Sequence, residues 1–346
     1  MIDSGERGIA IIGLACRFPD AANTDQFWRN LQVGKSSIRQ VPSDRWLIGQ
    51  HYDPASGTAG KSISKWGGFL EDVRAFDARF FEIPDEEARV MDPQHRILLE
   101  LAHETLEGAG YTNEKRDGLR IGVFLGISHN GYEEYTKPIL LSSEPTPQNM
   151  VANNLRNLAA GRVAHFFDLT GPNLAIDAAC ASSLVAVHYA CLSLQAGECD
   201  LALAGGINLN LTATPFLAFS SAGALSPSPF TYLFDERADG FVLGEGGGLV
   251  LLTPLQRAQV VGDPVQAVIL GSAVNNDGRS LGLKAPNPAG QKAVLAAAYL
   301  SAAIDPGTVS YVEAHGTGTR MGDAVEARSL TRFFPPPEDG CSRYVG

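Results

Sequence analysis

The chain has 346 residues, 45% apolar and 19% charged, a balance that supports a buried core and excludes a disordered polypeptide. Its length suggests roughly two domain-sized units. With 27 basic against 38 acidic residues, the formal charge of −11 argues against nucleic acid or an anionic membrane as the main partner.

The predicted elements begin with the apolar run Gly8 to Cys16, which could be misread as a secretion signal. It follows Glu6-Arg7 and leads into Arg17-Phe18-Pro19 rather than a small-residue cleavage site, so it is expected to be a buried first strand. No run approaches the ~20 residues of a membrane span. Thr24 to Gln32 predicts a helix with Thr24 as cap. Residues 34–70 read as a long surface excursion anchored by Trp46, Tyr52 and Trp66. His95 to Ala109 predicts a helix with one buried stripe, Ile97, Leu98, Leu101 and Leu106, ending at Gly108 or Gly110.

Short apolar runs at 121–125, 174–178, 201–204 and 249–252 predict buried strands, with a helix over Ser182 to Ala196 between them. This alternation predicts a layered α/β architecture with a largely parallel sheet. The pattern restarts after Gln266, with a strand over 267–273, a helix over 291–303, a strand over 311–314 and a helical stretch over 323–334. The chain then breaks at Pro335-Pro336-Pro337. Tyr344-Val345-Gly346 reads as the lead-in to a further strand.

Several patterns fail on context. Residues 55–62 resemble a phosphate-binding loop, but no strand precedes them and no helix follows. Residues 278–282 spell a hydrolase nucleophile elbow, yet Pro286 and Pro288 block the helix that must come next. His103-Glu104 lacks the second histidine of a zinc-protease helix, and Gly244 to Gly248 lacks dinucleotide spacing. No metal site is expected. The five cysteines Cys16, Cys180, Cys191, Cys199 and Cys341 are odd in number and lack C-x-x-C spacing, which fits a reducing cytoplasm.

The segment Ile176 to Leu184 carries the chemistry. An apolar strand runs into small residues, then Cys180, then a helix opened by Ser182 or Ser183. Unpaired backbone N–H groups and the positive end of the helix dipole favour a thiolate there. Cys191 and Cys199, within and after the helix, read as structural. His188 lies eight residues along that helix, about 12 Å at ~1.5 Å per residue, too far to serve as base for the thiol. His315, at a strand end beside the turn Gly316-Thr317-Gly318-Thr319, is the better candidate, since the glycines admit a ligand and the hydroxyls can bond it.

These segments resemble a β-ketoacyl synthase of the thiolase superfamily, specifically the ketosynthase domain of a modular type I polyketide synthase. The likeness runs in order through Ile9 to Pro19, Phe27-Trp28, Val41 to Trp46, Met91 to Gln94 and the Cys180 motif. It continues through Phe234-Asp235, Ala238 to Phe241, Gly244-Glu245-Gly246, Asn275 to Gly278 and Glu313 to Thr319. The resemblance implies a thiolase-like layered α-β-α-β-α fold, with a first half over residues 1–255 and the beginning of a second half, truncated, over 256–346.

It also implies an acyltransferase that loads an acyl group on Cys180 and condenses it by decarboxylation with a malonyl-type extender. His315 matches a histidine that assists decarboxylation, and Thr317 and Thr319 match positions that bond pantetheine. The implied partners are an acyl carrier protein, whose phosphopantetheine arm brings the substrate with no tightly bound cofactor, and a second copy in a homodimer. The family's second histidine and its lysine fall beyond Gly346, so the isolated chain is expected to be inactive in elongation. The alternative expectation is a split or scaffold ketosynthase completed by a second chain. Departures from the usual motifs are Ala178 and Ala181 beside the cysteine, Phe230 to Leu233 in place of a basic residue before Phe234, and Ala324 after Gly322-Asp323.

Overall fold

The computed structural model describes residues 8–55, 57–142, 145–280, 282, 285–334 and 344–345. In chain order it runs β1 (Ile9–Arg17), α1 (Thr24–Gln32), β2 (Ile38–Gln40), α2 (Ile48–His51), β3 (Trp66–Gly68), α3 (Asp85–Arg89), α4 (Pro93–Gly108) and α5 (Asn113–Arg116). There follow β4 (Ile121–Gly126), α6 (Glu133–Leu140), α7 (Arg156–Phe167), β5 (Asn173–Ile176), α8 (Ser182–Gln195), β6 (Leu201–Asn208) and α9 (Thr214–Ser221). The chain continues through β7 (Leu243–Gly244), β8 (Gly246–Pro254), α10 (Leu255–Val261), β9 (Ala267–Ile269), α11 (Pro288–Ala302), β10 (Tyr311–Val312), α12 (Arg320–Phe333) and β11 (Tyr344–Val345).

The main sheet has the order β5-β4-β6-β8-β1-β9. β5, β4 and β6 are parallel, whereas β8 is antiparallel to both β6 and β1, and β9 is antiparallel to β1. The sheet is therefore mixed, not largely parallel. The physical reason is the long excursion over residues 209–245, which carries α9 and brings the chain back beside β6 in the opposite direction. β9 joins the free edge of β1, and β10 pairs with β11 in parallel, which puts Tyr344–Val345 in a strand already. Pro335 to Pro337 and Cys341 lie outside the described residues.

Alternation along the strands sorts the two faces. Leu201 and Leu203 of β6, with Ile121, Val123 and Leu125 of β4, pack into one cluster with α4 and α7. Ala202, Ala204 and Phe124 point the other way, onto Ala186, Ala190, Cys191 and Leu194 of α8. The small side chains on that face let α8 lie close to the sheet. Two of the excursion's aromatics find cores: Trp46 is buried and stacks edge-on against Phe216, in a third cluster with Phe69, while Tyr52 packs at its margin.

α11 and α12 each begin three residues earlier than expected, at Pro288 and Arg320, and two other helices differ from expectation in cap or burial. α1 is capped by Asn23, whose side chain accepts from the Gln26 N–H at 2.9 Å, so Thr24 is the first helical residue. α4 begins at Pro93 under an Asp92 cap and is buried nearly all round in its first half, from Pro93 to Leu99, rather than along a single stripe. It lies sandwiched between the sheet and the loops around residues 70–90, which hides its polar face as well.

That burial perturbs two ionisable groups with opposite sign. Desolvation raises the Asp92 carboxyl to about 6, against the opposing Gln94 hydrogen bonds. His95, whose two ring nitrogens are buried without a partner among the described residues, is pushed down to about 3 by desolvation. Between pH 4 and 6 the folded chain keeps a proton on Asp92 that the unfolded chain has released, so this group's stabilisation is lost as pH rises. Over the same window His95 stays neutral while its unfolded counterpart is protonated, so its contribution is lost as pH falls. The two slopes offset each other. Relative to wild type, Asp92→Asn is expected to lose about 2–3 kcal/mol between pH 6 and 4, and His95→Gln a similar amount on going from pH 4 to 6. Urea melts at the two pH values measure both, and three parallel pH profiles would refute the assignment.

Candidate active site

β4, β5 and β6 end side by side, and the loops leaving their carboxyl ends build one cavity of about 810 Å³. Ser128 and His129 come from the first loop, Cys180 from the second, Asn208 from the end of β6 and Asn210 from the loop that follows it. Phe219, Phe241, Leu243 and Val250 make its walls largely apolar.

Cys180 is the middle residue of a 3-10 turn, Ala179–Ala181, that runs directly into α8. Of the four described cysteines it alone is exposed. Ala179 holds a left-handed backbone, φ +51°, an unfavourable conformation for a residue with a Cβ. The turn is held by Ser182, whose hydroxyl accepts from the Ala178 N–H at 2.8 Å and donates to the Ala179 carbonyl at 2.7 Å. Asp177 accepts from the Ala179 N–H at 3.2 Å and pairs with Arg156 at 2.7 Å, and Arg156 also donates to the Ser128 carbonyl at 2.5 Å. This lattice ties the cysteine turn to the loop after β4.

The other thiols are placed differently. Cys191 lies within α8 on its sheet-facing side, where burial pushes its thiol up to about 11. Cys199 is buried and Cys16 sits within β1, and burial raises both. His188 is occupied elsewhere: its Nδ1 lies 2.8 Å from the Ser272 hydroxyl.

His315 follows β10 in an exposed position and does not line the cavity. Its loop is tied down by hydrogen bonds. The His315 and Gly316 N–H groups donate to Glu326 at 2.6 and 2.8 Å, and Gly318 N–H donates to Asp323 at 2.9 Å. Thr317 and Thr319 hydroxyls lie 2.9 Å apart, and the Thr319 hydroxyl caps α12 through the Gly322 N–H at 3.2 Å. A Cβ on Gly322 would sit 2.5 Å from both hydroxyl oxygens. The loop hangs on the segment that walls the cavity, since Gly240 N–H donates to the Gly318 carbonyl at 2.9 Å and Phe234 N–H to Asp323 at 2.7 Å; Phe241, next along, lines the cavity. Among the described residues no group of three metal-ligating side chains gathers, and no helix is long and apolar enough to cross a membrane.

The β-ketoacyl synthase N-terminal domain model matches residues 6–258 and the corresponding C-terminal domain model residues 266–345. The chain belongs to the β-ketoacyl synthase family. Among its relatives are polyketide synthase ThaG of Burkholderia thailandensis, 43% identical over 95% of this chain and 6% of that protein, and polyketide synthase PksL of Bacillus subtilis, 41% identical over 96% and 7%. Solved structures of ketosynthases superpose on it. The oxazolomycin domain OzmH KS7 of Streptomyces albus gives a TM-score of 0.92 at 38% identity, covering 98% of this chain and 58% of that one. The module 6 ketosynthase of the Bacillus subtilis bacillaene synthase gives 0.87 at 37%, covering 98% and 56%. The fold is thus the thiolase-like fold of ketosynthase domains from modular polyketide synthases. This ketosynthase spans a small part of its curated relatives and a little over half of the solved chains.

The sequence pointed to the cysteine and the histidine–threonine turn, but the left-handed Ala179, Arg156 and the paired asparagines of the cavity wall escaped it. Ala179 carries no glycine signal, and the wall residues gather only when three separated loops meet.

Proposed function

We propose that this chain acts in the cytoplasm as a ketosynthase of polyketide assembly, with Cys180 as acyl acceptor. The observation that carries the reading is an exposed thiol at a helix N-terminus opening into an apolar cavity large enough for an acyl chain. Cys180 Sγ attacks the thioester carbonyl of an acyl group on the phosphopantetheine arm of an acyl carrier protein. The new S–C bond forms as the old one breaks, and the departing pantetheine sulfur takes the proton. A malonyl-type extender on a second arm then loses carbon dioxide, and its carbanion attacks the Cys180 thioester and releases the thiol. In this reading His315 stabilises the developing enolate charge, and Thr317 and Thr319 bond the pantetheine. The two halves, 1–255 and 256–346, divide the labour: the first carries the nucleophile, the second the histidine.

Acyl transfer to Cys180 is the step to assay. Incubation with a thiol-directed epoxide or an acyl-pantetheine thioester near pH 8 is expected to add one group, mapped by peptide mass spectrometry to Cys180 and absent from Cys180→Ala. The high pKa of Cys191 keeps it protonated there, and an adduct on Cys191 instead would refute the assignment.

The same reading includes a homodimer. Among the described residues β5 is an edge strand with Leu174 exposed, and α8, packed against it, exposes Leu184 and Leu192. An unpaired edge beside an apolar patch suits two-fold pairing with a second copy. Sedimentation should give a dimer that Leu184→Lys weakens; a wild-type monomer at micromolar concentration would count against it.

A further inference from the structure

Asn208 and Asn210, with Leu209 and Leu211 between and after them, leave β6 in alternation. The leucines turn into the core with α4, and the asparagines turn to the cavity. Asn210 is 2% exposed. Its backbone N–H donates to Glu245 at 3.1 Å and its Nδ2 to the Gly244 carbonyl at 3.0 Å, a carbonyl that Asn208 Nδ2 also reaches at 3.2 Å. A carbonyl only accepts, so the Asn210 amide is oriented: nitrogen on Gly244, Oδ1 facing away. Among the described residues no donor is bonded to that oxygen. Of the neighbouring polar groups, Ser128 is bonded to Ser182 at 2.9 Å and Thr214 to Glu134 at 2.6 Å, whereas His129 Nε2 has no partner among the described residues.

An acyl chain filling the cavity strips water from this oriented acceptor. A hydrocarbon leaves it unpaired and a ketone sets acceptor against acceptor, whereas a hydroxyl supplies the missing donor. We propose that Asn210 selects acyl chains that carry a hydroxyl group. The inference rests on Cys180 being the acyl acceptor and names the substrate class that site prefers. The principle is that a site in which the ligand itself covers a polar atom discriminates against an analogue lacking the partner far more sharply than an apolar wall discriminates size.

The test follows acylation of the full chain by intact-mass spectrometry. The probes are synthetic pantetheine thioesters of equal length: hexanoyl, 3-oxohexanoyl, and hexanoyl chains hydroxylated at carbon 3 or carbon 5. One hydroxylated chain is expected to load about tenfold faster than hexanoyl, and the 3-oxo chain no faster than hexanoyl. Asn210→Leu should collapse that ratio to about one, with Asn210→Ala as the second variant should leucine prevent folding. A wild-type ratio within about twofold of one, or a preference that survives both substitutions, overturns the inference while leaving Cys180 as acceptor. Failure of every thioester to load overturns the Cys180 reading, and this inference with it.

Discussion

Replacing Glu245 by alanine is expected to cost about 3–5 kcal/mol of folding stability, the range for breaking a buried ion pair from one side. The Glu245 side chain is fully buried and its partner Arg45 is 2% exposed. The carboxylate accepts four bonds, from Arg45 Nε and Nη2 at 2.8 and 2.9 Å and from the Leu70 and Asn210 N–H groups at 2.9 and 3.1 Å. Truncation therefore strands a buried guanidinium and two backbone donors at once. Arg45 keeps a bond to Asp44 and one to the Leu70 carbonyl, which limits the loss without neutralising the charge. The double variant Arg45→Met, Glu245→Leu should recover much of it, since two apolar groups leave nothing unpaired. Urea denaturation measures each, and a loss below about 1 kcal/mol for Glu245→Ala would show that water reaches the pair. This hub also explains physically why Gly244-Glu245-Gly246 stands out as a motif: one carboxylate fastens residues 45, 70 and 210, and the adjoining Gly244 carbonyl orients the cavity asparagines.

What the sequence made legible follows from the range of the forces involved. β4, β6 and α8 are set by local periodicity, and Cys180 by the strand-to-helix junction, so they could be placed within a few residues. The mixed sheet could not, because whether β8 runs with or against β6 depends on where the loop over 209–245 deposits the chain. The burial of α4 on its polar side was equally hidden, since Gln94, His95 and Arg96 look solvent-facing until residues 70–90 close over them. Asn23 and Thr24 are both good caps, and backbone geometry alone decides between them. In the site, Arg156 at the start of α7 braces the cysteine turn and Asn210 lines the cavity from positions that share no spacing with Cys180, and Ala179 adopts its left-handed turn because the surrounding hydrogen bonds impose it, not because its own residue type favours it.

Gly126, the last residue of β4, decides how closely α8 can approach, and Gly126→Ala is expected to damage stability and acylation together. A Cβ there would lie 2.5 Å from Ser182 C and Ser183 N and 2.8 Å from Ser182 O. All three are backbone atoms in the first turn of α8, with no flexible side chain to give way. On the next strand Gly206 closes the same contact, its Cβ position 2.7 Å from the Gly126 carbonyl and 2.9 Å from Ser183 Cβ. An added methyl must therefore push the helix start off the sheet, at a cost of about 1–3 kcal/mol for overpacking. Cys180 precedes that turn by two residues, so its sulfur moves with it. A displacement of about 1 Å is enough to slow a positioned reaction ~100-fold. Gly108→Ala, at the end of α4 where a Cβ meets nothing within 4 Å, is the control that should leave both properties near wild type. Thermal melts and the Cys180 acylation rate separate the outcomes. A Gly126→Ala protein that melts lower yet acylates normally would mean the turn is held by Ser182, Asp177 and Arg156 without the helix contact, whereas a slowed reaction at nearly native stability would place the demand for glycine in the site itself.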